Sequence, residues 1–214
     1  MADIFKEVEE ELRREQYEKL WQRHGKLLIA IAAAAIIGTA AYVGWQKYRA
    51  NELASLSDRY AAALTLTDPA AGDPAAAEAA FADLQDAGGG YGTLAQLQAA
   101  GLKSKTDPAA AAALYDRLAA DGGAPDELRD LARLLKVMQL VETGDGAALS
   151  AELQPLVADT SPWRFTAREL QAVLALKAGD KTKATELLTQ LSDDVAAPPS
   201  LRARAAELLA ALKG

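Results

Sequence analysis

The segment GDKTKATELLTQL, residues 179–191, decides how this chain folds. A Gly-Asp pair opens it, and an apolar stripe at helical period follows. The same device occurs three more times: GDPAAAEAAFADL at 72–84, TDPAAAAALYDRL at 106–118 and GDGAALSAELQPL at 144–156. The four aspartates stand at 73, 107, 145 and 180, spaced 34, 38 and 35 apart. Eight residues past each is a large side chain: Phe81, Tyr115, Leu153 and Leu188. Eleven past each is a leucine: Leu84, Leu118, Leu156 and Leu191. Leu97, Leu135 and Leu170 stand ten before the last three. Each Asp reads as a turn and helix N-cap. The unit is therefore helix–turn–helix, repeated about every 34 residues, which is the tetratricopeptide period. One such unit cannot bury its apolar face alone, so units stack into a solenoid.

Recurrent alanines, such as Ala76, Ala77, Ala110 and Ala111, let paired helices approach closely. Turns are marked by Asp68-Pro69, Gly88-Gly89-Gly90, Gly122 to Pro125, Ser161-Pro162 and Pro198-Pro199. A last helix at about Leu201 to Lys213 caps the stack. The Trp/Leu-Gly/Tyr pattern of full tetratricopeptide repeats is missing from the first helix of most units, so the reading is tetratricopeptide-like.

Upstream lies a run without charge, LLIAIAAAAIIGTAAYVGW, residues 27–45. As a helix it reaches about 28 Å, close to the ~30 Å hydrocarbon core of a bilayer. Tyr42, Trp45 and Tyr48 stand where an aromatic belt belongs, and Trp21 precedes the other end. A cleaved signal, cut after Ala40, is the alternative. It fits poorly, because 26 residues of mixed charge precede the run and the apolar stretch continues past the cut. The predicted organisation is a tail at 1–26, a transmembrane helix at 27–45 and a repeat domain at 46–214. The first helix past the span, about Gln46 to Leu66, is expected to continue it without a break. Arg13, Arg14, Lys19, Arg23 and Lys26 precede the span, against Lys47, Arg49 and Arg59 after it. That bias places the N-terminus in the cytoplasm and the repeats outside, in a bacterium the periplasm.

The tail, DIFKEVEEELRREQYEKLWQRHGK at 3–26, carries acid-to-base pairs four apart at Glu9–Arg13, Glu10–Arg14 and Glu15–Lys19. Ile4, Val8 and Leu12 share one face, and Tyr17, Leu20, Trp21 and His24 another. It reads as an amphipathic helix that either docks in the cytoplasm or on headgroups, or only grips the interface. Inside the span, Ala30, Ala34 and Gly38 form a small-residue row of the kind that lets helices pack in lipid, as do Ala40 and Gly44. In so alanine-rich a chain such rows also arise by chance.

Composition narrows function. Of 23 Lys+Arg and 30 Asp+Glu, the part after the span holds 17 and 23, a net charge of −6. An acidic domain is a poor partner for nucleic acid. With no cysteine, disulfides, thiolate zinc sites and thiol nucleophiles are excluded. The one histidine, His24, has no catalytic partner in sight. Gly88 to Gly92 lacks the strand and Lys-Ser/Thr of a phosphate cradle and reads as an inter-helix loop. Asp193-Asp194 and Asp126-Glu127 read as helix-end acids before cation ligands. No enzyme, cofactor, metal or small-molecule substrate is expected. Trp163, Arg164 and Phe165 are the candidate protein-binding residues, lining a peptide groove or else filling an inter-repeat core.

The tail IFKEVEEELRREQYEKLWQRHGK, the single span and the alanine-rich repeats together resemble the bacterial YfgM-like family of ancillary SecYEG translocon subunits. Pro162-Trp163-Arg164-x-x-Ala167 with Gly179-Asp180 downstream, and Pro198-Pro199-x-Leu201-Arg202-x-Arg204-Ala205, are also similar to members. The resemblance implies an inner-membrane protein whose periplasmic domain associates with the Sec translocon and periplasmic chaperones, with no catalytic residue. The sequence thus predicts an all-α, membrane-anchored protein-binding scaffold. Its rivals are a self-associating structural envelope protein, forming a homo-oligomer, and a cleaved soluble periplasmic binding module.

Overall fold

A computed structural model describes the backbone of residues 2–213, with side chains at residue 14 and residues 21–212. All regular structure among the described residues is helical. The chain divides into two compact units, Met1–Ser55 and Leu56–Gly214.

The first unit is helix. It belongs to α1, Ala2–Thr65, which runs without interruption as the sequence predicts for the span and the helix after it. No proline and no tight glycine turn breaks it; a Cβ added at Gly38 or Gly44 would meet nothing within 4 Å. The tail is helical, but its apolar faces and charge pairs lie outside the described side chains, Arg14, Trp21, Arg23, His24 and Lys26 apart. The stretch Trp21–Thr65 is long and apolar enough to cross a membrane, with a mean hydropathy of 2.2 in its most apolar window and none of that window buried. Thr39, whose hydroxyl lies inside the apolar run, donates to the Ala35 carbonyl at 2.8 Å. That bond satisfies its donor within the helix. Residues 46–55 stay exposed, and packing begins at Leu56.

The second unit is a stack of short helices. After the end of α1 come α2 (Pro74–Gln85), α3 (Gly89–Lys103), α4 (Pro108–Ala119), α5 (Asp126–Leu140), α6 (Gly146–Leu153), α7 (Arg164–Lys177), α8 (Lys181–Asp193) and α9 (Pro199–Lys213). A 3-10 turn, Gln154–Val157, extends α6. Pro155 forces that change, since it has no N–H to give and its ring crowds the preceding turn.

All four repeat aspartates are N-caps. Asp73 accepts from the amides of Ala75 and Ala76, Asp107 from Ala110, Asp145 from Ala147 and Asp180 from Lys183. Pro74 and Pro108 occupy the first helical turn, where a missing N–H costs nothing. The preceding glycine has its own reasons. Gly179 has φ 78°, and the amides of Gly179 and Asp180 bond back to the carbonyls of Leu176 and Ala175. This is a Schellman closure of α7 that hands the chain directly to the cap of α8. At Gly72 a Cβ would stand 2.2 Å from the Leu66 carbonyl, so no side chain fits that turn.

The core is four successive clusters, each made by one capped helix and its two neighbours. Ala77, Phe81 and Leu84 of α2 pack with Ala63 of α1 and with Ala95 and Ala99 of α3. Ala111, Tyr115 and Leu118 of α4 pack with Ala100 and Ala132. Leu149, Leu153 and Leu156 pack with Leu134, Val137, Ala167 and Leu174. Ala184, Leu187, Leu188 and Leu191 of α8 are buried in turn; the leucines pack with Phe165, Ala172, Leu201 and Ala205. Helices α3, α5 and α7 each serve two clusters, one on either side. That sharing makes the domain a solenoid with nearest-neighbour cohesion.

The sequence-predicted core positions are buried at both offsets, from Phe81 and Leu153 at 0% exposed to Tyr115 at 3%. Leu97, Leu135 and Leu170 are only half-buried against their clusters. The expected loop at Gly88 to Gly92 is mostly helix. Gly88, with φ 68°, makes the turn and α3 starts at Gly89. Gly92 lies where a Cβ would stand 3.0 Å from the Gln85 carbonyl, so this glycine serves close helix packing.

Candidate protein-binding site

The tripeptide Trp163-Arg164-Phe165 opens α7. Ser161, nearly buried, accepts from the Trp163 amide at 3.2 Å and fixes the entry to the helix. The three side chains then diverge. Trp163 packs against the cluster of α5, α6 and α7, while Phe165, 7% exposed, belongs to the cluster of α7, α8 and α9. Arg164 places its guanidinium 4.0 Å from the centre of the Phe165 ring. The negative face of the ring attracts the cation, and the guanidinium shields that face from water. The aromatic pair thus fills the spaces between repeats on both sides of α7. The Trp163 indole N–H is buried and has no acceptor among the described residues.

On the apolar stretch of α1, a shallow groove is lined by Ala35, Ile36, Thr39, Ala40, Val43 and Gly44. It takes in the second small-residue row, Ala40 and Gly44, and not Ala30, Ala34 or Gly38. Past it, Trp45 and Tyr48 lie 6.3 Å apart, Arg49 stands over the Trp45 ring at 5.8 Å, and the Gln46 amide donates to the Tyr42 hydroxyl at 3.0 Å. This is an amphipathic belt of the kind that sits well at a lipid–water boundary.

The acids read as helix-end groups are engaged that way. Asp126 pairs with Arg129, and Asp194 accepts from the Ala196 amide and faces Arg168 at 3.6 Å. Among the described residues no three His, Cys, Asp or Glu side chains gather as a metal site would need.

A polar feature the sequence reading missed runs through the domain. Lys136 on α5 reaches Asp116 on α4 at 2.6 Å and Glu152 on α6 at 2.9 Å. Burial works against its charge, but the two carboxylates outweigh that and raise its pKa above the ordinary lysine value. Its signal was positional: Lys136 lies nine residues before one repeat Asp, and its partners nine and seven after theirs. Further pairs join alternate helices, Lys177 to Glu142 at 2.6 Å and Arg204 to Glu169 at 2.8 Å. Lys177 also donates to the carbonyls of Val141 and Glu142, closing the C-terminal end of α5.

Residues 18–186 match the family described as the tetratricopeptide repeat-like domain. The chain belongs to that family. The match spans both the apolar helix and three and a half of the four capped units. Searches among curated proteins and among solved structures found no match. Tetratricopeptide repeat-like domains are typically non-enzymatic modules of protein–protein interaction. Here, as that family's architecture requires, every unit shares its apolar surface with the next.

Proposed function

We propose that this protein is a non-enzymatic scaffold, anchored in a bacterial inner membrane by α1 and binding other proteins through its repeats. The N-terminus is cytoplasmic and the repeat domain periplasmic. Its partners are Sec translocon subunits and periplasmic chaperones, so that it links export to chaperone handover. One observation carries the reading: a single chain joins an unburied apolar helix with an aromatic belt to a tetratricopeptide repeat-like domain. Tethering raises effective concentration, so weak contacts of the repeats suffice. Affinity isolation of the full chain from mild detergent tests it. Recovery of translocon subunits together with a periplasmic chaperone is expected; recovery of neither would remove the proposal.

The groove at Ala35 to Gly44 favours a second reading, in which the protein self-associates through the span. Native mass measurement in detergent separates the two. A stable homo-oligomer without other subunits supports self-association.

A further inference from the structure

No described helix covers the outer face of α9. Leu201, Ala205, Leu208, Leu209 and Leu212 turn toward α8, while Ala203, Ala206, Glu207 and Ala210 are exposed. The end of a solenoid needs a polar outer face to stay soluble, and this one presents a row of alanines. Nor is the face shaped to receive a further unit. Trp163, Ala167 and Leu170 of α7 pack back toward α6, as Leu201, Ala205 and Leu208 of α9 pack back toward α8, an offset of 38 residues. At that offset Phe165, the large side chain that α7 gives to α8, becomes Ala203.

The charges on either side of the alanine row are unpaired. Arg202, half-buried, makes no ion pair among the described residues, and its buried Nε has no acceptor there. Arg204, the neighbouring cation, is instead held by Glu169. Glu207 acts on Arg204 only through space and closes no ion pair. Ala203, Ala206 and Ala210 recur at i, i+3 and i+7, the a and d spacing of a two-stranded helix pair. In that register Arg202, directly before the first alanine, stands at g, and Glu207, directly after the second, stands at e. In a parallel pair, g of one helix meets the next e of the other, and such pairs set partner choice and orientation. Arg202 and Glu207 stand in that relation and are opposite in charge. An antiparallel pair would set g against g and e against e, like charge facing like.

We propose that the outer face of α9 docks on α9 of a second copy, parallel and in register. Alanines at the contact let the two helix axes approach to about 8 Å. Arg202 of each copy then pairs with Glu207 of the other, twice by symmetry. Three alanines bury little area, so the contact alone is weak. Two chains held in one membrane meet at a raised effective concentration, which offsets that weakness. The inference rests on the self-association reading and places a contact in the repeat domain, apart from the groove on α1.

The chain has no cysteine, so an engineered one reports alone. Membranes carrying the full chain with Ala206→Cys are oxidised with copper phenanthroline and resolved without reductant. A disulfide needs Cα atoms within about 7 Å, which the proposed pair supplies at Ala206 and denies at Ala211, exposed on α9 but away from the row. Ala206→Cys should form a covalent dimer, and Ala211→Cys about tenfold less of it. Adding Arg202→Glu to Ala206→Cys should cut the dimer about tenfold, because two pairs turn from attraction to repulsion. Adding Glu207→Arg instead should do the same, and both exchanges together should restore the dimer. Arg202 and Glu207 form no ion pair within one chain, so restoration reports a contact between copies and not a repaired fold. No dimer at 206, equal dimer at 206 and 211, or a double exchange that fails to restore it overturns the proposal. If native mass measurement still finds a homo-oligomer while Ala206→Cys gives no dimer, self-association stands and the α9 contact is lost.

Discussion

Arg204 on α9 grips Glu169 on α7 through two parallel hydrogen bonds, Nε to Oε1 at 2.8 Å and Nη2 to Oε2 at 2.9 Å. The two residues are 35 apart, as are Lys177 and Glu142, so these two ionic contacts follow the same period as the caps. Glu169 is mostly covered and Arg204 is exposed. The bidentate geometry fixes orientation more than it adds energy, since one partner faces water. Arg204→Ala should therefore lower the melting temperature slightly, and the loss should shrink in high salt. A loss that ignores salt would mean the guanidinium stem packs and its charge is incidental.

The caps carry a larger effect. Asp180→Ala should cost about 1 kcal/mol, because the Lys183 amide loses its acceptor, whereas Asp180→Asn should retain most of the stability. Denaturant titration of the two variants by circular dichroism checks the pair.

Burial separates two other positions more widely. Leu188 is fully buried and Leu188→Ala should cost about 2–5 kcal/mol through lost transfer energy and the cavity left behind. Val195 is 87% exposed, and Val195→Ala should stay within about 0.5 kcal/mol. The same titration reads both.

Alkali should weaken the domain. Burial raises the Tyr115 phenol above its ordinary value, so the fold prefers the neutral ring. Lys136 is also raised, so the fold prefers its charged form. For both, the stabilisation is fully present below the unfolded pKa, about 10 for each. It is lost as pH rises through the higher folded value. The melting temperature should be level between about pH 7 and 9 and fall above about pH 10. Tyr115→Phe should blunt that fall.

The apolar helix makes its own prediction. Ile36 stands at the middle of residues 27–45, and Ile36→Asp should cost about 2.5–3.5 kcal/mol of membrane insertion. Carbonate extraction of membranes should leave the unaltered chain in the pellet and release a larger share of the variant.

Much of this architecture was legible in the residues. The Asp caps and the large side chains eight and eleven beyond them fix helix starts and buried faces, since both are local and periodic. A third buried register, four past each Asp at Ala77, Ala111, Leu149 and Ala184, was only partly visible, because alanine is also common on exposed faces. The divergence of Trp163 and Phe165 into different clusters follows from α7 serving two neighbours, which no local pattern announces. The Lys136 bridge joins residues 20 and 16 apart, and its meaning emerges only once the repeats are superposed. The glycine run at 88–90 looked like a loop because glycine disfavours helix, yet packing of α3 on α2 overrides that preference.

The side of the membrane on which the repeats lie decides which partners they can meet. The chain has no cysteine, so a single one reports cleanly. Val195→Cys and Gln22→Cys, made separately, would be exposed to a membrane-impermeant maleimide in cells with a permeable outer membrane. Labelling at 195 before lysis, and at 22 only after it, is the predicted result. Protection of residue 195 until the inner membrane is broken would contradict the account.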